Sequence, residues 1–167
     1  MSVKVYVGTY TEAQNGKGEA IYAFDFDEEK GTLVPAGVTP GVVNPSWLVV
    51  NDNRTALYST SEGDPGEVVA FRIEPKSGAL AELNRVSSEG ISPCYLSLTA
   101  DGRYLLAANY TSGSFAAIPV ATDGSLEAAS DAVQRNGVSV DSSRQEGPHA
   151  HMISPSPDGR YVLVTDL

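Results

Sequence analysis

The fold class this sequence predicts is all-β, a β-propeller of four-stranded antiparallel blades, and three observations predict it. A turn signature recurs as NDNR at 51–54, ADGR at 100–103 and PDGR at 157–160, each followed by an apolar-rich run. A second glycine turn recurs out of phase with it, at Gly31, Gly78 and Gly124, with separations of 47 and 46 residues. No stretch carries a helical period. Self-similarity at a period of roughly 40 to 50 residues is the signature of radial repeat architectures.

The elements follow in order. Asp-Gly between apolar runs marks a hairpin, because glycine accepts positive φ without steric cost. Each unit therefore holds two hairpins and four strands. The first precedes the DGR turn and the second follows it, as TALYST from Thr55, YLLAAN from Tyr104 and YVLVTD from Tyr161. These runs are apolar at consecutive positions, as a strand covered on both faces should be. The third is the YAFDF-type strand, in YAFDFDEEKGTL from Tyr22, VAFRIEPKSGAL from Val69 and AAIPVATDGSL from Ala116. The fourth spans 33–38, 80–86 and 126–133 and carries Pro35, Glu82, Arg85 and Asp131, which suit an exposed edge. A buried centre and a polar rim in about 47 residues describe a propeller blade. An antiparallel sandwich with coincidental turns is the rival. Two interleaved signatures holding their spacing through three copies count against it.

The opening segment, 3–9, matches the strands after the DGR turn, so the unit before it lacks its first strand. The chain is expected to be one truncated domain, 1–167, with three units and a piece of a fourth. Rings usually hold about four to eight blades, and closure with four is the competing reading. Uncovered blade faces lead to an expectation of association with a complementary fragment or with itself.

Composition narrows the function classes. Hydrophobic content of 41% with 19% charged residues excludes disorder. The net charge of −10, without any basic run, disfavours nucleic acid and membrane surfaces as partners. A small anionic substrate remains compatible, since a few focused basic groups outweigh distant charge. Cys94 is the only cysteine, so no intramolecular disulfide can form. A reducing compartment fits, and with no signal-like opening or long apolar run the expected location is cytoplasmic.

Blade topology sorts residues by face. The starts of the innermost strands, NPS at Asn44, SPCY at Ser92 and GPHAH at Gly147, share one rim with the ends of the strands after the DGR turns. That rim holds Tyr10, Glu62, Asn109, Tyr110 and Asp166, whereas Arg54, Arg103 and Arg160 fall on the opposite face as structural turn residues. From Leu126 to His149 the connection spans 23 residues, against 11 from Leu33 to Asn44 and 12 from Leu80 to Ser92. The insertion carries Arg135, Asp141, Arg144, Gln145 and Glu146, and long loops on a rigid scaffold commonly carry function. The chain's two histidines, His149 and His151, follow at once. Spaced i, i+2 in an extended segment, they are expected on the same side. Neutral imidazole suits a general base, and Arg144 suits a phosphate or carboxylate clamp. Two other readings stay open: buried structural histidines, and a metal site in which Asp166 assists but no clear third and fourth ligands stand.

The phrases VYVGTYT, NPSWLVVNDNRTALYSTSE, SPCYLSLTADGRYLLAANYTSGS and GPHAHMISPSPDGRYVLVTDL resemble successive blades of the lactonase family of seven-bladed propellers, with RQEGPHAH the most specific part. That family includes propeller-type 6-phosphogluconolactonases and fungal carboxy-muconate cyclases. The resemblance covers the whole chain and implies about three and a half of seven blades. It implies hydrolysis of 6-phospho-D-glucono-1,5-lactone to 6-phosphogluconate, without metal or organic cofactor, by a site whose further Arg and Glu residues belong to the second half of the ring, so that the truncated chain alone is expected to be inactive. On this resemblance His149 or His151 is the base and Arg144 the anion clamp. Glu146 supports the catalytic pair, and Asn109 and Tyr110 orient substrate, with Tyr10, Glu62 and Asp166 on the same rim. A muconate-type lactonising enzyme and a non-enzymatic interaction platform are the alternatives, and fold alone does not separate them.

Overall fold

The computed structural model describes residues 2–167, and its strands form four successive antiparallel sheets. The first joins β1 (Ser2–Gly8), β2 (Ile21–Asp27) and β3 (Thr32–Thr39). The second joins β4 (Leu48–Val50), β5 (Ala56–Ser61), β6 (Glu67–Ile73) and β7 (Leu80–Ser87). The third joins β8 (Pro93–Leu98), β9 (Tyr104–Asn109), β10 (Ser114–Pro119) and β11 (Asp131–Gln134). The fourth is β12 (Ala150–Pro155) with β13 (Val162–Asp166). One 3₁₀ turn at Ala13–Asn15 is the only helical segment among the described residues. Inner strands pack sheet to sheet, β1 on β4, β4 and β5 on β8, and β8 and β9 on β12. This serial stacking is that of propeller blades, not of two facing layers.

Period-two alternation builds the core between blades. Leu57 on β5 and Val69 and Phe71 on β6 face the first sheet and meet Ile21 and Val42. Their neighbours Ala56, Tyr58, Val68 and Ala70 face the third sheet and meet Leu96, Leu105, Ala107 and Ile118. Leu106 and Ala108, alternating with these on β9, face Ala150 and Ile153 of the fourth. Hence β5 is buried along its whole length, as its unbroken apolar run requires. Each fully buried leucine, isoleucine or phenylalanine contributes about 1.5–3 kcal/mol.

Two details depart from the sequence reading. The outer strand expected over 126–133 pairs only over Asp131–Gln134, and Leu126 forms an isolated bridge to Val120. Asn84 of β7 captures the Leu126 backbone, donating from Nδ2 to its carbonyl at 2.7 Å and accepting its N–H at 3.0 Å. That draws Leu126, 4% exposed, into the core between blades. The turn signatures are also offset by one residue. Arg54 (φ 56) occupies the left-handed position held by Gly102 and Gly159, each at φ 67. Strand pairing confirms the offset: Leu48 opposes Ser59, Leu96 opposes Ala107, and Ile153 opposes Val164. Asn44, Ser92 and His149 are therefore equivalent positions, and so are Ser46, Cys94 and His151.

Candidate functional site

At one end of the innermost strands, each of these equivalent starting positions ties its blade to the rim of the one before. Asn44 is 4% exposed at φ 44, a left-handed conformation that asparagine tolerates better than most side chains. Its Oδ1 accepts the backbone N–H groups of Thr11 at 2.9 Å, Glu12 at 2.9 Å and Ala13 at 3.1 Å. Its Nδ2 donates to the Glu62 carbonyl at 3.2 Å. Ser92 donates its N–H to the Gly63 carbonyl and takes the Thr111 hydroxyl on Oγ at 3.0 Å. In the fourth blade the position belongs to His149, whose Nδ1 lies 3.1 Å from the Tyr110 carbonyl.

A carbonyl can only accept, so Nδ1 of His149 carries the proton in that contact. Its Nε2 faces Glu146 Oε1 at 3.4 Å, and its backbone N–H donates to Asp166 Oδ1 at 2.7 Å. The Tyr110 ring stacks on the imidazole with centroids 4.7 Å apart and planes at 20°. His151 meets the same tyrosine edge-on at 5.8 Å and 80°. Both histidines thus reach one tyrosine. They differ in exposure, because a bulge between Ala150 and Met152 breaks the alternation: His149 is 9% exposed, whereas His151 is open to solvent. Gly113 makes the approach possible, since at φ 62 any side chain there would collide with the Pro148 carbonyl.

The other rim residues continue the arc. Tyr10 donates its hydroxyl to Glu62 Oε2 at 3.3 Å, and burial, then the Glu62 charge, raises the phenol pKa. Cys94 lies next along, its Sγ 3.5 Å from the Ala150 carbonyl and 3.6 Å from that of His151. Burial, with the Glu62 charge second, pushes the thiol up to about 11. Thiolate is the reactive form, so Cys94 is expected to resist iodoacetamide at pH 8 and to label readily only as pH approaches that value. Labelling at pH 8 as fast as a free thiol would contradict this geometry. Below the rim, Trp47 stacks on Tyr95 at 4.0 Å and donates Nε1–H to the Leu96 carbonyl at 2.9 Å, joining the second and third blades.

Not every expected residue reaches the site. Asn109 is fully buried, with Nδ2 engaged by the Ser88 carbonyl at 2.8 Å and Ser114 Oγ at 3.0 Å. It packs inside the third blade and is not available to orient a substrate. Strand alternation sends its side chain inward while Tyr110 faces the rim. Asp166 fastens the His149 backbone. Among the described residues no group of three or more His, Cys, Asp or Glu side chains is placed to hold a metal ion. Arg144 is exposed on a loop closed by its own bonds, Arg144 and Gln145 N–H to the Asp141 carbonyl and Ser143 to Asp141 Oδ1. Its guanidinium feels the Asp141 carboxylate of the same loop and has no hydrogen bond to the histidines. A recess of about 270 Å³ separates this loop from the end of β13, lined by Asn136, Gln145, Pro148 and Asp166 among others. A cavity of about 340 Å³ lies at the far end, among the turns at Asn51, Asp101 and Asp123. It has no imidazole, and Asp101 and Asp123 are bound by Arg103, Thr99 and Ser125. Sequence reasoning missed the roles of Asn44 and Trp47, although the recurring NPSW and SPCY phrases marked their positions.

Among the described residues no helix is long and apolar enough to cross a membrane. Residues 4–167 match the family described as Lactonase, 7-bladed beta-propeller. The 6-phosphogluconolactonase of Bacillus subtilis (strain 168) is 38% identical over 163 residues, covering 97% of this chain and 46% of that protein. The solved structure of the periplasmic gluconolactonase PpgL of Pseudomonas aeruginosa superimposes with a TM-score of 0.91 at 33% identity, over 100% of this chain and 48% of that one. A candidate 6-phosphogluconolactonase of Bacteroides uniformis gives 0.90 at 35%, over 99% and 47%. The chain spans about half the length of the relatives it matches.

Proposed function

The chain belongs to the lactonase family of seven-bladed β-propellers, and from that membership we propose that the protein hydrolyses 6-phospho-D-glucono-1,5-lactone to 6-phosphogluconate in the cytoplasm. The observation that carries the reading is the pair of imidazoles gathered on Tyr110 at the rim, one held in a single tautomer and the other open. In the reaction, water attacks the lactone carbonyl carbon and gives up a proton to an imidazole. A tetrahedral oxyanion forms, which N–H or cationic donors stabilise. The ring C–O bond then breaks, the imidazole returns the proton to the leaving alkoxide, and the acid ionises. Arg144, exposed on its loop, would take the phosphate by two parallel hydrogen bonds. Every step uses protein groups and water alone.

A substrate panel tests this reading. The 6-phosphorylated lactone is expected to exceed unphosphorylated glucono-1,5-lactone by about 10- to 100-fold in kcat/KM, the value of a charge-assisted contact of about 1.5–3 kcal/mol. Arg144→Ala is expected to erase most of that preference. Equal turnover of the two lactones would contradict the phosphate assignment, and preference for a muconate-type acid would favour the lactonising alternative.

A further inference from the structure

We propose that His149 is a positioning residue and that His151 is the base, an assignment that rests on the lactone-opening reading above. The blade repeat carries this assignment. His149 stands where the second blade has Asn44 and the third has Ser92, and each of the three reaches the rim of the blade before it, Asn44 through Oδ1, Ser92 through its backbone N–H to the Gly63 carbonyl and His149 through Nδ1. In the fourth blade the tie is Nδ1–H to the Tyr110 carbonyl. The imidazole is 9% exposed, one face lies against Tyr110, and Nε2 is faced by Glu146. One nitrogen and one face of a nearly buried ring are thus engaged, as suits a fastening group.

His151 stands where the second and third blades have Ser46 and Cys94, one position past the prolines of NPS and SPC. It is exposed, and among the described residues its ring nitrogens have no hydrogen-bond partner. A base must reach the water it deprotonates, and this imidazole is open to do so. The edge contact with Tyr110 sets its orientation. His149 therefore acts through Tyr110: it fixes the tyrosine against which the working imidazole rests.

The repeat also supplies the test, because asparagine ties the equivalent position of the second blade to the first, there with Oδ1 as the acceptor. An asparagine amide at 149 can donate to the Tyr110 carbonyl as Nδ1–H does. His149→Ala is expected to lower kcat and the melting temperature together, and His149→Asn to recover most of both. His151→Asn is expected to lose about 10²- to 10⁴-fold in kcat with an unchanged melting temperature. His149→Asn folded as the parent but as inactive as His151→Asn would overturn the assignment, as would an active His151→Asn. A second measurement is independent of turnover. With two histidines in the chain, ¹⁵N spectra of the parent resolve each ring, and His149 is expected as the Nδ1–H tautomer in contact with Tyr110. An Nε2–H tautomer at His149 would overturn the tie. A parent with the expected spectrum and no turnover would refute the lactonase reading, and with it His151 as base, while leaving the tie standing.

Discussion

Replacing His149 and His151 together by alanine is expected to slow lactone opening by about 10²- to 10⁴-fold, the usual worth of a positioned proton-transfer group. The two rings are the chain's only imidazoles, and both contact Tyr110, so no neighbouring side chain of similar basicity stands ready to replace them. Asp166 does not substitute, since it is held by the His149 N–H. The double variant also loses the Nδ1 bond to Tyr110 and a ring stack, a destabilisation of about 1–3 kcal/mol. In a domain of this size that lowers the melting temperature by about 2–4 °C per kcal/mol. Rates are therefore compared well below the transition, with circular dichroism confirming equal folded fractions. Retention of the parental rate would remove the histidines from the mechanism.

Asn44→Ala is expected to be the most damaging single substitution at the rim, costing about 3–5 kcal/mol. Three backbone N–H groups, of Thr11, Glu12 and Ala13, converge on one oxygen, and alanine leaves them without that acceptor. The Glu62 carbonyl loses its donor as well, so the Tyr10–Glu62 pair loosens with the rim. Alanine also sits less easily than asparagine at φ 44. Asn44→Asp keeps the acceptor and loses the donor, so a smaller loss is expected. Urea titration measures both, and a loss below about 1 kcal/mol for Asn44→Ala would show that these bonds are replaced at little cost.

What the sequence made legible was local. The paired turns, the buried second strand and the polar outer strand are properties of neighbouring residues, and all reappear in the second and third blades. The resemblance to the lactonase family rested on whole phrases of sequence and agrees with the match over residues 4–167. What was not legible depended on distant contacts. Leu126 leaves its strand because Asn84, far away in sequence, takes both its backbone groups. Asn109 and Tyr110 are adjacent at the rim, yet the inward turn of Asn109 shows only once Ser88 and Ser114 close around it. The difference between the two histidines was hidden too. Their spacing predicts a shared side, and the bulge after Ala150 with the Tyr110 carbonyl decides their exposure. Arg54 in a glycine position displaced the first turn signature by one residue and concealed the equivalence of Asn44 with His149.

The central claim is that the polar rim at the starts of the inner strands opens a phosphorylated sugar lactone. Its most direct measurement is the initial rate of 6-phospho-D-glucono-1,5-lactone ring opening with the parent protein and with His151→Asn, each set against buffer alone. The account predicts clear acceleration by the parent and a near-spontaneous rate with the variant. A parent rate equal to that of buffer, or a variant as fast as the parent, would contradict it.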